Sequence, residues 1–69
     1  MIPLEYPEDV VLHYISEHEE PDGVDVNSMV DDLESDMFIY PESTLLAIRN
    51  LYMKGYIERR YDGRIEIPG

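Results

Sequence analysis

Residues 55 to 68 read "GYIERRYDGRIEIP", and the reading of this stretch decides the fold. The segments "YIERRY" and "RIEIP" flank Asp62-Gly63, the dipeptide that best supplies the two positive φ values of a type I′ hairpin turn. The expectation is a two-stranded ribbon paired about that turn, with Arg59 opposite Glu66 and Arg60 opposite Ile65. In this register Ile65 and Ile67 share a face, and Arg59, Arg60 and Arg64 project near the tip. Gly55 sits where a left-handed cap closes a helix, so the ribbon follows directly on one.

That helix is expected over residues 41–54, because Pro41 suits a first helical position. Its inward stripe is read as Thr44, Ile48, Leu51 and Tyr52, with Leu45 at the edge. The connection "ESDMFIYPE" separates it from a short second helix that Asp25 or Asn27 caps and that ends near Ser35 or Asp36. Val26, Met29, Val30 and Leu33 recur there at helical spacing, while Asp31, Asp32 and Glu34 face water. A first helix starts near Pro7, where Glu8 and Asp9 meet the positive end of its dipole, and Val11, Leu12, Tyr14 and Ile15 form its apolar stripe. It stops at "EEPDG", since Pro21 cannot continue a helix and Gly23 permits a positive φ; Val24 then begins a short strand. With residues 1–6 as an extended arm and 55–68 as the hairpin, residues 1–69 form one α+β domain, mostly α.

Composition narrows the function. The chain has 69 residues, sixteen of them acidic and five basic, for a formal charge of -11. Residues 1–48 hold thirteen acids and no Lys or Arg, whereas residues 49–69 hold five basic and three acidic residues. The body is at -13 and the tail at +2. A chain this short buries only about 60% of its unfolded surface, so a surface function is expected rather than a deep catalytic cleft. There is no nucleophile-base pair and no phosphate loop, and an enzyme is not expected. The absence of cysteine excludes disulfides and thiolate metal sites, and no apolar run approaches the roughly 20 residues of a membrane span. The expected location is the cytoplasm, with no membrane, metal or cofactor involved. His13 and His18 lie about 140° apart around a helix and do not share a face as two metal ligands should. The acidic run "DGVDVNSMVDDLESD" lacks calcium-loop spacing and reads as a solvated helix surface. The acids lie over both early helices without a single row, which argues against a mimic of the DNA backbone.

The stretch "STLLAIRNLYMKGYIERRYDGRIEI" resembles the winged helix-turn-helix superfamily: Ser-Thr, an apolar residue three before a Leu, Leu-x-x-x-Gly-aromatic-Ile, then a charged wing. Ile48, Leu51, Gly55, Tyr56 and Ile57 occupy those places. Seven before Leu51, where the pattern has an apolar residue, stands Thr44, and the connection before the helix is longer than the tight turn usual in the superfamily. Sixteen acids against a single lysine resemble the surfaces of proteins of salt-loving archaea, and the whole is most similar to small winged-helix regulators and virus-repressor-like proteins of haloarchaea.

The resemblance implies a DNA-binding transcriptional regulator, with the helix at 41–54 in the major groove and the hairpin at 56–68 as a wing on the adjacent backbone. The expected partner is double-stranded DNA, bound by a homodimer because one module buries a modest interface. With Ile48 and Leu51 inward, a turn of about 100° per residue leaves Glu42, Ser43, Leu46, Arg49, Asn50 and Met53 outside. Arg49 suits guanine, Asn50 adenine and Ser43 a phosphate, while Leu46 and Met53 are apolar on that face. Arg59, Arg60 and Arg64 supply the wing's contacts. The alternative is a protein-protein interaction module that docks a partner on Leu46 and Met53 or on the arm "MIPLEY". Tyr14, Tyr52 and Tyr56 are expected in the core, and Tyr6 and Tyr61 outside it.

Overall fold

A computed structural model describes residues 3–69 and gives three helices followed by a two-stranded antiparallel hairpin, a mostly helical α+β fold with a winged-helix-like layout. Helix α1 spans Glu8–His18, α2 Val26–Met37 and α3 Pro41–Lys54; strand β1 is Glu58–Arg59 and β2 Ile65–Glu66. No helix among the described residues is long and apolar enough to cross a membrane.

The core is one cluster to which the three helices, the hairpin and both connections contribute. Val11 and Ile15 come from α1, Met29 and Leu33 from α2, and Ala47, Ile48 and Leu51 from α3. Ile57 and Ile65 bring in the hairpin, while Val24 and Ile39 enter from the two connections. Val24 exchanges two backbone hydrogen bonds with Ile65, N to O at 2.8 and 3.0 Å, and this isolated bridge adds the loop after α1 to the edge of the hairpin.

Two expectations about the helices are corrected. Helix α2 runs on to Met37, leaving only Phe38, Ile39 and Tyr40 before α3, so the long connection is a tight turn. Phe38 makes the reversal with a left-handed φ of 56°, which turns Ile39 into the core and leaves Phe38 itself in water. Nothing in the sequence announces this, because the residue there is a phenylalanine instead of a glycine. On α3 the buried side is Thr44, Ala47, Ile48 and Leu51; Tyr52 is 57% exposed and belongs to the outer surface. Ala47, absent from the expected stripe, moves the centre of burial toward α1. Leu4 of the N-terminal arm packs on the core, and the backbone turns into α1 from Glu5, whose carbonyl accepts from Glu8 N at 2.6 Å. Met1 and Ile2 of that arm lie outside the described residues.

Thr44 takes the core position of the apolar residue on this shifted face of α3. It is fully buried, and its hydroxyl has no hydrogen-bond partner among the described residues. Such a group carries its desolvation cost uncompensated, so Thr44→Val is expected to raise stability by about 1 kcal/mol in urea unfolding. An equal loss would show that the hydroxyl is satisfied in solution.

The hairpin differs from its expected register by one residue. Glu58 pairs with Glu66 and Arg59 with Ile65, and Arg60 N donates to Arg64 O at 2.7 Å. Only Gly63 has a positive φ, 88°, and its N–H donates to Arg60 O at 3.0 Å. This is a three-residue loop, Tyr61-Asp62-Gly63, in the pattern of a turn followed by a left-handed residue. Asp62 stays out of the left-handed region, and its carboxylate accepts from Arg64 N at 3.0 Å. The Asp-Gly signal located the turn, but the expected two-residue loop is a three-residue one, because only this register puts the buried Ile57 and Ile65 on one face.

Candidate nucleic-acid interface

The outer surface of α3 and the inner face of the hairpin bound a groove of about 480 Å³, lined by Ile48, Arg49, Tyr52, Met53, Arg59 and Ile65. The shifted register creates it. Because Arg59 lies opposite the buried Ile65, strand alternation puts its side chain on the face turned toward α3. Arg49 reaches the same groove from the helix. Neither arginine forms an ion pair among the described residues.

The other two wing arginines are on the opposite face. A Cβ built on Gly23 would stand 3.0 Å from Arg60 Cδ and 3.1 Å from Arg64 Cβ, so both side chains leave the hairpin beside the loop between α1 and α2. Arg60 lies 3.7 Å from Asp62 and 3.6 Å from Glu66 and is mostly covered. It takes the place expected of Arg59 as the neighbour of Glu66, and it offsets the repulsion of Glu58 and Glu66 paired directly across the strands. Arg64 is exposed. The expected convergence of three arginines at the tip is therefore a division, with Arg59 joined to Arg49 and Arg60 joined to Arg64 on the far side.

Ser43 and Asn50 also leave the outer face. Both are half-buried and line the cleft between α3 and the start of α1. Asn50 Nδ2 donates to Glu8 Oε2 at 3.1 Å, and Lys54 Nζ donates to Glu8 Oε1 at 2.5 Å and to Pro3 O at 3.2 Å. Glu8 is only 4% exposed. The Lys54 ammonium holds its carboxyl below the usual carboxylate range, helped by the bonds at Glu5 and Asn50 and opposed by burial. Sequence periodicity missed this cluster because its partners are 42 and 46 residues apart; the one signal was the position of the chain's only lysine.

A group whose pKa is lowered on folding contributes stability above its unfolded value, and that contribution disappears as pH falls through the folded value. Lys54→Met removes the largest cause. The variant is expected to be less stable near neutrality, and its deficit should shrink as pH falls from about 5 toward 2, read by urea unfolding at each pH. A deficit independent of pH would assign the role of Lys54 to packing.

What remains outward on α3 is a row of Glu42, Leu46, Arg49 and Met53, at intervals of four, three and four residues. Leu46 is 58% and Met53 72% exposed, and Leu45 and Tyr52 flank them at 50% and 57%. Tyr61 at the hairpin tip is exposed as expected, as is Tyr6, whereas Tyr14 and Tyr56 are partly buried. The Tyr14 hydroxyl donates to Asp32 at 2.5 Å, and burial together with that carboxylate pushes its pKa up to about 12. His13 pairs with Glu17 while His18 stacks on Tyr14, ring centroids 4.0 Å apart, so the two histidines act separately. No protein-family model, curated protein or solved structure matches the chain.

Proposed function

We propose that this domain is a winged-helix DNA-binding regulator that lays α3 in the major groove and uses the hairpin as its wing. The observation that supports this most is the pairing of Arg49 and Arg59, two cations without ion-pair partners among the described residues, on the groove between α3 and the hairpin. Arg49 binds guanine through its forked donors, Arg59 binds the adjoining backbone, and Arg64 reaches phosphate from the outer face of the wing. Arg60 shapes the hairpin. A homodimer belongs to the same reading, since a single module of this size buries a modest interface on DNA.

The acidic body does not oppose this in concentrated salt. At 1 M ionic strength the Debye length is about 3 Å, so only close contacts count. The same screening weakens phosphate attraction, which leaves base contacts and shape fit with a larger share of the affinity. This solvent dependence agrees with a saline origin, which we propose from the sixteen acids and single lysine. Binding of mixed-sequence duplexes, followed by fluorescence anisotropy from low salt to about 2 M KCl, tests the proposal. Binding with a shallow negative salt dependence is expected, and no binding at any salt overturns it.

A second reading has its own observation. Leu45, Leu46 and Met53 are exposed together on α3, as on a helix that docks another protein. Chemical cross-linking that joins α3 to a protein partner, with no duplex bound, would favour it.

A further inference from the structure

The outward row of α3 is poor in hydrogen-bonding groups for a helix that reads bases, and its apolar members narrow what it can select. Asn50 is committed to Glu8 and Ser43 is half-buried beside Pro7, so Arg49 and Glu42 are the polar side chains left on the row. Leu46 and Met53 stand three before and four after Arg49, offset from it by about 4.5 and 6 Å along the helix axis. Those offsets correspond to one or two base-pair steps of about 3.4 Å. The major groove presents one apolar group on its base edges, the C5-methyl of thymine.

Resting on the DNA-binding reading, we infer that Leu46 and Met53 select thymine by its methyl group, on either side of a guanine held by Arg49. Charge complementarity commits the face to DNA: Arg49 and Arg59 line the groove beside Met53, Leu46 stands one turn before Arg49 at the edge of the cleft that holds Glu5 and Glu8, and Glu42 is the one acid on the row itself. Glu42, an acceptor, suits the N4 amino group of cytosine. The site sequence is therefore a guanine flanked within two steps by thymines, with a cytosine toward the start of the helix.

The test uses the full chain. A random duplex pool is enriched for binding, and the enriched sequence is then synthesised with thymine or with deoxyuridine, which lacks only the methyl, at each position. Each methyl lost beside the guanine is expected to lower affinity about fourfold, the equivalent of one buried methyl group. Leu46→Ala with Met53→Ala should bind both duplexes equally, and because these side chains are exposed the variant retains its fold. Equal affinity of the native protein for the two duplexes overturns methyl selection while leaving DNA binding intact. Failure to enrich or bind any duplex overturns both, and a protein partner on α3 then accounts for the apolar face.

Discussion

Duplex affinity falls at least about 100-fold when Arg49 and Arg59 are both replaced by glutamate, since each lost charged contact is worth one to two powers of ten before repulsion is counted. The two side chains line one groove from two elements, so the double change turns its cationic edge acidic. Both are exposed and outside the core cluster, so thermal unfolding should be little changed. Arg60→Glu serves as the internal comparison. Arg60 is bound up with Asp62 and Glu66 on the far face of the hairpin, so its replacement should affect stability more than affinity. The opposite ranking, with Arg60 dominating binding, would place the DNA on the other side of the wing. Anisotropy with the same duplex at one salt concentration decides between them.

The second large effect is on stability. Gly23→Ala should destabilise the domain by about 3 kcal/mol, combining the penalty of a left-handed residue with that of overpacking. Gly23 has a φ of 85°, and an added Cβ would stand 3.2 Å from the Ile65 carbonyl oxygen as well as against the two arginine stems. That carbonyl accepts the bridge from Val24 N, so the clash pushes apart the contact that docks the hairpin on the body. Gly63→Ala isolates the two contributions: its φ is 88° but nothing lies within 4 Å of its Cβ, and only the backbone penalty of about 1 to 2 kcal/mol is expected. Melting temperatures of the two variants measure the difference, at about 4 to 8 °C per kcal/mol for a domain of this size. Equal losses would mean that the hairpin is not held at Gly23.

The elements legible in the sequence are those whose signals are local. Pro41 and Gly55 bound α3, and the helix closes as that pair suggests, with Tyr56 N donating to Leu51 O and Gly55 N to Tyr52 O. The turn at Asp62-Gly63 and the stop at residues 19–23 were equally open to reading. What was not legible depends on which of several local options the core selects. Burial of Ile57 and Ile65 on one face fixes the hairpin at the longer loop, and this single step moves Arg59 to the groove and Arg60 away from it. Phe38 in a left-handed turn violates the residue preference that would have shown where α2 ends. On α3, projection at helical spacing placed Leu46, Arg49 and Met53 correctly, yet the burial of Ala47 and the long-range bonds to Glu8 draw Ser43 and Asn50 toward α1. Thus the candidate interface was legible as a helix and a wing, while the choice of side chains within it depended on contacts distant in sequence.

The central claim is that α3 and the hairpin present one DNA-binding surface through the groove they share. An NMR titration of isotope-labelled protein with duplex DNA, in about 2 M KCl where distant repulsion is screened, tests it most directly. Amide shifts concentrated at Leu46, Arg49, Met53 and Arg59, with Glu8, Asn50 and Lys54 unmoved, are the expected result. An unshifted spectrum, or shifts centred on α1 and the Glu8 cluster, would contradict it.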